Sequence, residues 1–403
     1  MPVLCLPLMV LATAAPPPPP DEAARLARSS NAFGFDLYRG LGAGAGNRAI
    51  SPASISTALA MTWAGARGET AAQMARALHL EGPPDAVLRA AGALAASLQD
   101  PARPIVFRIA NRLFGEKTYR FEPAYLEATK AAFGAPLEPV DFRQASEPAR
   151  QRINGWVEEK TEKRIQNLVS QGGVNGETRL VLVNAIYFLG DWEEPFKKES
   201  TTPDAFTVPG SGQKDVPTMR TVEHFRFVAA DGLKAVELPY KGGAMSMLLV
   251  LPDAVDGLPA LEASLDAARL DALVASLVPA RVFVSLPKFE IDPAGSLGLG
   301  DVLAGLGMKD AFSPARADFT GMANPPRRAD RLYLSQVFHK AFVRVDEKGT
   351  EAAAATAAVM ARAGAMPQKT EEFKADHPFL FFIRDNATGM ILFMGRVADP
   401  SAK

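Results

Sequence analysis

The chain changes character half-way along, and nothing marks the change. Through its first half apolar residues recur at helical spacing. Through its second half they gather into short runs rich in β-branched and aromatic residues, most of them bounded by Gly, Pro or Asp. No second linker, repeat or low-complexity segment separates the two regimes. Helices and strands must therefore share one core. Helices followed by strands predict an α+β fold with antiparallel or mixed sheets, and disfavour a regular βαβ wind.

The helical spacing covers residues 21–38, where Leu26, Phe33 and Leu37 share a stripe. Ser51-Pro52 reads as a helix start, with Ser51 as cap and Pro52 in the first turn. Thr70 reads as the residue before a helix over 71–80. Further helices are predicted over 84–99 and 122–133. Another opens at Ser146-Glu147-Pro148 and aligns Ile153, Trp156 and Val157 on one face. Strands are predicted over 180–188, 235–238, 246–251, 282–286, 379–383 and 391–397.

Hydrophobic residues make up 48% of the 403, enough for one large core, and 44 basic residues balance 45 acidic ones. That balance supplies no electrostatic reason to expect nucleic acid or an anionic membrane as partner. The only cysteine, Cys5, precedes the predicted domain, so internal disulfides and thiolate chemistry are excluded from it. Residues 3–11 are apolar and too short to span a bilayer. Ala12-Thr13-Ala14 follows as a candidate cleavage site, although the usual basic residues before the apolar run are missing. Residues 1–20 are thus expected to be a signal peptide and a Pro-rich spacer, and 21–403 a single domain. Secretion or periplasmic export is expected, with the cytoplasm as alternative. The Ala-, Arg- and Pro-rich usage suggests a high-GC bacterial gene.

Enzyme signatures are missing. His79, His224, His339 and His377 do not stand at metal-ligand spacing, and no H-E-x-x-H, G-x-S-x-G or P-loop occurs. The glycine-rich run from Gly40 to Gly46 follows a helix and not a strand, so it reads as a surface turn. No enzyme activity, metal or cofactor is expected.

Residues 350–361 are alanine-rich, and propensity alone makes them a helix. As a strand they follow a different logic. Thr350, Ala352, Ala354, Thr356, Ala358 and Met360 would share one face, all small or apolar, and the lone charge, Glu351, would fall on the other. A strand with such a face meets little steric resistance when it slides between two others.

Ordered blocks of sequence decide between these readings. Ile50-Ser51-Pro52-Ala53-Ser54-Ile55-Ser56 comes first, then Gly65-Ala66-Arg67-Gly68-Glu69-Thr70. Leu182-Val183-Asn184-Ala185-Ile186-Tyr187-Phe188, Trp192, Glu237-Leu238-Pro239-Tyr240 and Leu286-Pro287-Lys288-Phe289 follow. The last are His339-Lys340-Ala341-Phe342, Glu347-Lys348-Gly349-Thr350-Glu351-Ala352-Ala353-Ala354-Ala355-Thr356, His377-Pro378-Phe379 and Phe393-Met394-Gly395-Arg396. In this order, from residue 50 to 397, they resemble the serpin family of serine protease inhibitors.

The resemblance implies a helical bundle over three β-sheets, with a reactive loop at about 347–372 that a target protease cleaves. It implies an inhibitor acting through a covalent complex with a serine protease. It assigns a hinge to Glu347, Gly349, Thr350, Glu351, Ala352, Ala353, Ala354, Ala355 and Thr356. A shutter beneath the middle of the main sheet falls to Ser54, Ser56, Asn184 and His339. A breach at its top falls to Trp192, Lys288 and Glu347, with Lys288 and Glu347 paired. Counting sixteen residues from Glu347 puts the scissile bond between Ala363 and Gly364. Counting back from Pro378 gives Gly364 as the specificity residue, and Arg362, the one basic residue between Glu351 and Gln368, is the runner-up on chemistry. Alanine suits elastase- or subtilisin-like proteases, and Arg362 a trypsin-like one. Cysteine protease inhibition and a non-inhibitory role remain alternatives. The segment matching the family's heparin-binding helix, 84–99, holds one basic residue, Arg89, so no glycosaminoglycan partner is expected. A monomer is expected.

Overall fold

The structure, a computed structural model, describes residues 20–42, 44, 46–100, 102–134, 137–350 and 369–402. Helix α1 (Pro20–Gly40) leads through strand β1 (Arg48–Ile50) to helices α2 (Pro52–Ala64), α3 (Gly68–Ala77) and α4 (Pro84–Leu98). Strand β2 (Ile105–Glu116), helix α5 (Pro123–Phe133), strand β3 (Glu138–Val140), helix α6 (Phe142–Lys160) and strand β4 (Leu180–Asp191) follow. Next come strands β5 (Thr202–Val208), β6 (Gly212–Ala230), β7 (Leu233–Pro239) and β8 (Met245–Pro252), then helices α7 (Leu258–Ser264) and α8 (Ala267–Ser276). Strands β9 (Val278–Pro287), β10 (Phe289–Ile291) and β11 (Leu297–Gly298) precede helix α9 (Gly300–Gly305). Strands β12 (Gln336–Val345), β13 (Gly349–Thr350), β14 (Thr370–Lys374), β15 (Phe379–Asp385) and β16 (Ile391–Val397) end the order.

The helix starts obey local chemistry, with two exceptions. Ser51 Oγ accepts from Ser54 N at 3.2 Å and Pro52 opens α2, as the cap rule requires. Thr70 does not precede α3 but lies in its first turn, where Oγ1 accepts from Asp318 N at 3.0 Å. That helix ends at Ala77, short of the expected 80, because His79 turns into the left-handed region with φ 53°. Within α6 the backbone breaks at Ala145 (φ −140°, ψ 51°), so the regular helix begins at Ser146-Glu147-Pro148. Pro148 sits in that first turn, where its missing N–H has no helical acceptor to lose. Helix α1 takes in Pro20, a residue earlier than the expected domain start.

The central sheet runs β10-β12-β13-β4-β2-β3. The second runs β1-β16-β15-β8-β7-β6-β9-β14, with β5 paired to β6. Three sheets were expected, and the described residues form two continuous ladders. The cause is β6, 19 residues long, which pairs with β9 over Thr218–Phe227 and with β7 over Arg226–Ala230. One strand thus carries hydrogen bonding from one packing layer into the next. Pairing is mixed: β12–β4, β2–β3 and β14–β9 are parallel, the others antiparallel. The first half is less helical than its spacing predicts, since β2 lies in it and stands next to β4 at the heart of the central sheet. Asn111, Arg108 and Arg112 interrupt its apolar run, which hid it.

Both faces of the central sheet are covered. On one, Phe114, Val181, Val183, Ala185, Phe338 and Phe342 pack with Ile153, Trp156 and Val157 of α6. On the other, Leu182, Ile186, Phe188, Val337 and Ala341 join the larger core with α2, whose residues from Pro52 to Trp63 are nearly all buried. A helix apolar all round belongs in the middle of a protein.

Candidate functional site

Strands β12 and β4 pair in parallel from Gln336↔Val181 to Phe342↔Tyr187, and above that they part. Strand β13 sits in the fork, with Thr350 opposite both Val345 and Gly190, and Gly349 opposite Asp191. Glycine is required at 349 because a Cβ there would stand 1.9 Å from Gly190 O. Thr350 is fully buried, its Oγ1 2.6 Å from the Tyr240 hydroxyl. Tyr240 stacks on Trp192 at 4.7 Å and 11° and meets Phe188 edge-on at 4.9 Å. Trp192 closes the top of the fork: its Nε1 donates to Asp346 O at 3.1 Å and its backbone N to Lys348 O at 2.7 Å.

Beside the fork Lys288 Nζ donates to both carboxylate oxygens of Glu347, at 2.9 and 3.1 Å, and Thr201 Oγ1 donates to Oε1 at 2.9 Å. Burial opposes ionisation of Glu347, but these bonds outweigh it, and the carboxyl is held below its ordinary pKa. Phe196 N also donates to Glu347 O at 2.8 Å. The turn that starts the loop is thus fixed by both its backbone and its side chain.

Half-way down the seam lies a polar cluster. His339 and Asn184 are direct partners across β12 and β4, and Asn111 is the partner of Asn184 across β2. His339 Nδ1 bonds Asn184 Oδ1. Asn184 Nδ2 donates to Ser54 Oγ at 2.6 Å and to Asn111 Oδ1 at 2.5 Å. Asn111 Nδ2 returns a bond to Ser54 O at 3.0 Å. Ser51 N donates to His339 Nε2 at 3.2 Å, and Ser51 Oγ donates to Leu392 O at 2.5 Å. With Nε2 accepting, the imidazole is neutral and carries its proton on Nδ1. Burial depresses its pKa to about 3. Each member has a partner, so the cluster is stable in the low dielectric. Yet the His339–Asn184 bond spans the very pair of strands that fork above.

The expected site residues divide accordingly. Ser54, Asn184 and His339 come together, while Ser56 does not join them. Two positions along a helix rotate a side chain by about 200°, so Ser56 faces α1 and bonds Ser30 Oγ at 2.8 Å. Asn111 and Ser51 take part instead. The sequence shows Ser51 only as a cap, and Asn111 belongs to a strand whose apolar run is broken by Arg108 and Arg112 as well. Trp192, Lys288, Glu347, Gly349 and Thr350 meet at the fork, joined by Tyr240. Hinge residues 351–356 and the candidate cleavage residues Arg362, Ala363 and Gly364 lie outside the described residues.

The site is a seam, bonded across its middle by His339 and Asn184 and parted above Phe342. The family described as serpin (serine protease inhibitor) matches residues 28–400. The chain belongs to the serpin family. The serpin fold is shared with tengpin, a thermophilic serpin in its native state, at TM-score 0.86 and 28% identity over 97% of both chains. Among curated serpins, the leukocyte elastase inhibitor of Sus scrofa is 44% identical over 386 residues, 93% of this chain and 100% of its own. That of Xenopus tropicalis is 43% identical over 376 residues, 91% and 97% of the two.

Proposed function

We propose that this serpin is inhibitory, not an enzyme, and traps elastase- or subtilisin-like serine proteases as single-use targets. The observation that carries the reading is the fork: Gly349–Thr350 already occupies the place of a new strand between β12 and β4. The names of the relatives, leukocyte elastase inhibitors at 44% and 43% identity, support the protease class. So do Ala363 and the small residues from Ala352 to Ala358.

In this reading the protease's serine Oγ attacks the carbonyl carbon of Ala363. The Ala363–Gly364 amide breaks, the Gly364 nitrogen leaves with a proton, and an ester joins Ala363 to the enzyme. Residues 350–363 then enter the fork and descend between β12 and β4. Seven residue pairs are separated, and each of the two strands gains a new neighbour. About 14 residues at ~3.3 Å each carry the bound protease ~45 Å. Pulled against the far pole, its catalytic site distorts and the ester survives. The Gly349 turn and Thr350 act as hinge, Trp192 with the Lys288–Glu347 pair as breach, and the His339 cluster as shutter.

Arg362 favours a second reading, a trypsin-like target cleaved one residue earlier. Incubation with elastase, subtilisin, trypsin and papain, followed by denaturing electrophoresis, separates the possibilities. Elastase or subtilisin complexes that survive SDS, with cleavage after Ala363 by mass spectrometry, are expected. Trapping of trypsin alone after Arg362 selects the second reading. Trapping of papain alone indicates a cysteine protease inhibitor, and cleavage without any trapping a non-inhibitory serpin.

Export is proposed from residues 3–14, and N-terminal sequencing of the mature protein tests it: retention of Met1 indicates the cytoplasm. A monomer is proposed, to be read by light scattering. A bacterial source rests on composition alone, since the two elastase inhibitors named above are from vertebrates.

A further inference from the structure

Asparagine is chemically labile, most of all before glycine, which has no side chain to shield its own nitrogen. The sequence holds two such pairs, Asn154-Gly155 and Asn175-Gly176, and the fold treats them differently. Asn154 is buried on α6. Its Nδ2 donates to Val169 O at 2.9 Å, and its Oδ1 accepts from Val169 N at 2.8 Å. Gly155 lies inside the same helix, which commits its nitrogen to the helical ladder.

Asn175 is exposed, in the connection between α6 and β4. It opens a tight turn: its carbonyl accepts from Thr178 N and its own N–H donates to Thr178 Oγ1, both at 3.0 Å. The side chain folds over that turn, with Oδ1 accepting from Glu177 N at 2.9 Å. This bond holds the amide carbon alongside the intervening Gly176 nitrogen and polarises it toward attack. Among the described residues, no hydrogen bond engages Gly176 N or Asn175 Nδ2.

We propose that Asn175 is a site of spontaneous modification, converting to isoaspartate and aspartate while Asn154 stays intact. Gly176 N gives its proton to a solvent base and bonds to Asn175 Cγ. The Cγ–Nδ2 bond breaks, and Nδ2 takes up a proton and leaves as ammonia. Water then opens the cyclic imide. Attack at Cγ restores the main chain with aspartate, and attack at the backbone carbonyl carbon routes the chain through Cγ as isoaspartate. Either product sets a new carboxylate beside Glu177. Isoaspartate also lengthens the main chain by a methylene, which disrupts both bonds to the buried Thr178. The site is separate from the fork, and neither the family match nor the names of the relatives assign it.

The test holds the full chain in mildly alkaline buffer and follows both asparagines by peptide mapping with mass spectrometry. Methyl transfer by an isoaspartyl methyltransferase counts the isoaspartate. In the folded protein Asn175 should convert at least about tenfold faster than Asn154, because reaction at Asn154 waits for the helix to open. In guanidinium chloride the two should convert at similar rates. Gly176→Ala, whose Cβ would meet only Arg143 O at 3.4 Å, should slow the loss of Asn175 severalfold by crowding the attacking nitrogen. Persistence of Asn175, or equal rates at the two asparagines in the folded protein, overturns the proposal. So does an unchanged rate in folded Gly176→Ala, or an Asn154 that stays slow in the denaturant. If the variant does not fold, the comparison of the two asparagines within the wild type decides.

Discussion

His339 has both ring nitrogens engaged within a fully buried cluster, and this makes it a pH-dependent lock. Its ordinary pKa is 6.5 and its folded value about 3. As pH falls, the unfolded chain therefore takes up the proton first. The contribution to stability is complete above about 6.5 and declines by ~1.4 kcal/mol per pH unit until the folded value is reached. Urea unfolding of the wild type and His339→Gln at pH 7 and pH 5 isolates the effect. The stability gap between them should narrow by ~2 kcal/mol at the lower pH. A constant gap would mean that the buried ring tolerates its charge. The serines provide a second comparison. Ser54→Ala strips an acceptor from Asn184 and should cost ~1–3 kcal/mol. Ser56→Ala removes only the bond to Ser30 on α1 and a bond back to Ala53 O within α2, and should cost under ~1 kcal/mol. Equal losses would contradict the separation of the two residues seen here.

At the scale of the element, the proposed roles of β13 and the turn before it make testable demands on how readily the sheet opens. Lys288 is about one-third exposed and Glu347 is buried, so their pair contributes only ~1 kcal/mol. Reversal does more than remove it: Glu347→Lys sets two ammonium groups together beside the fork. That variant should form loop-linked oligomers on mild heating, visible by size exclusion, and the double swap with Lys288→Glu should restore the monomer. A single variant that stays monomeric would show that the pair does not gate the sheet. Thr350→Arg would place an unpaired charge against Tyr240, at a cost of several kcal/mol. Proteolysis of the loop should proceed at a similar rate, while the stoichiometry of inhibition rises because ester hydrolysis outruns insertion. Stoichiometric covalent complexes with this variant would remove Thr350 from the hinge.

For the whole molecule, the proposed insertion requires that the uncleaved form not be the most stable arrangement of the chain. Cutting most surface loops lowers stability or leaves it unchanged. Under that reading a freed strand with a small-residue face completes the central sheet, exchanging the β12–β4 ladder for two new ones and covering apolar surface. Thermal melts of intact and loop-cleaved protein should show the cleaved form melting at the higher temperature. Equal or lower stability after cleavage would exclude insertion as the mechanism.

Much of this was legible in the sequence. Ser51-Pro52, the helix from Ser146 and the six apolar strands all rest on local rules of capping, period and side-chain size, which a sequence carries whole. Other features are not local. Asn111, Asn184 and His339 come from three strands far apart in sequence, and only the register of those strands makes them neighbours. Ser54 and Ser56 are equally polar and two residues apart, and packing on different faces of α2 separates them. The merging of two expected sheets through β6, the fork above Phe342 and the burial of Asn154 against Val169 were likewise decided by tertiary contacts. The physical reason is the same each time: period and propensity act over a few residues, whereas burial and hydrogen-bond partnership depend on which distant surfaces meet.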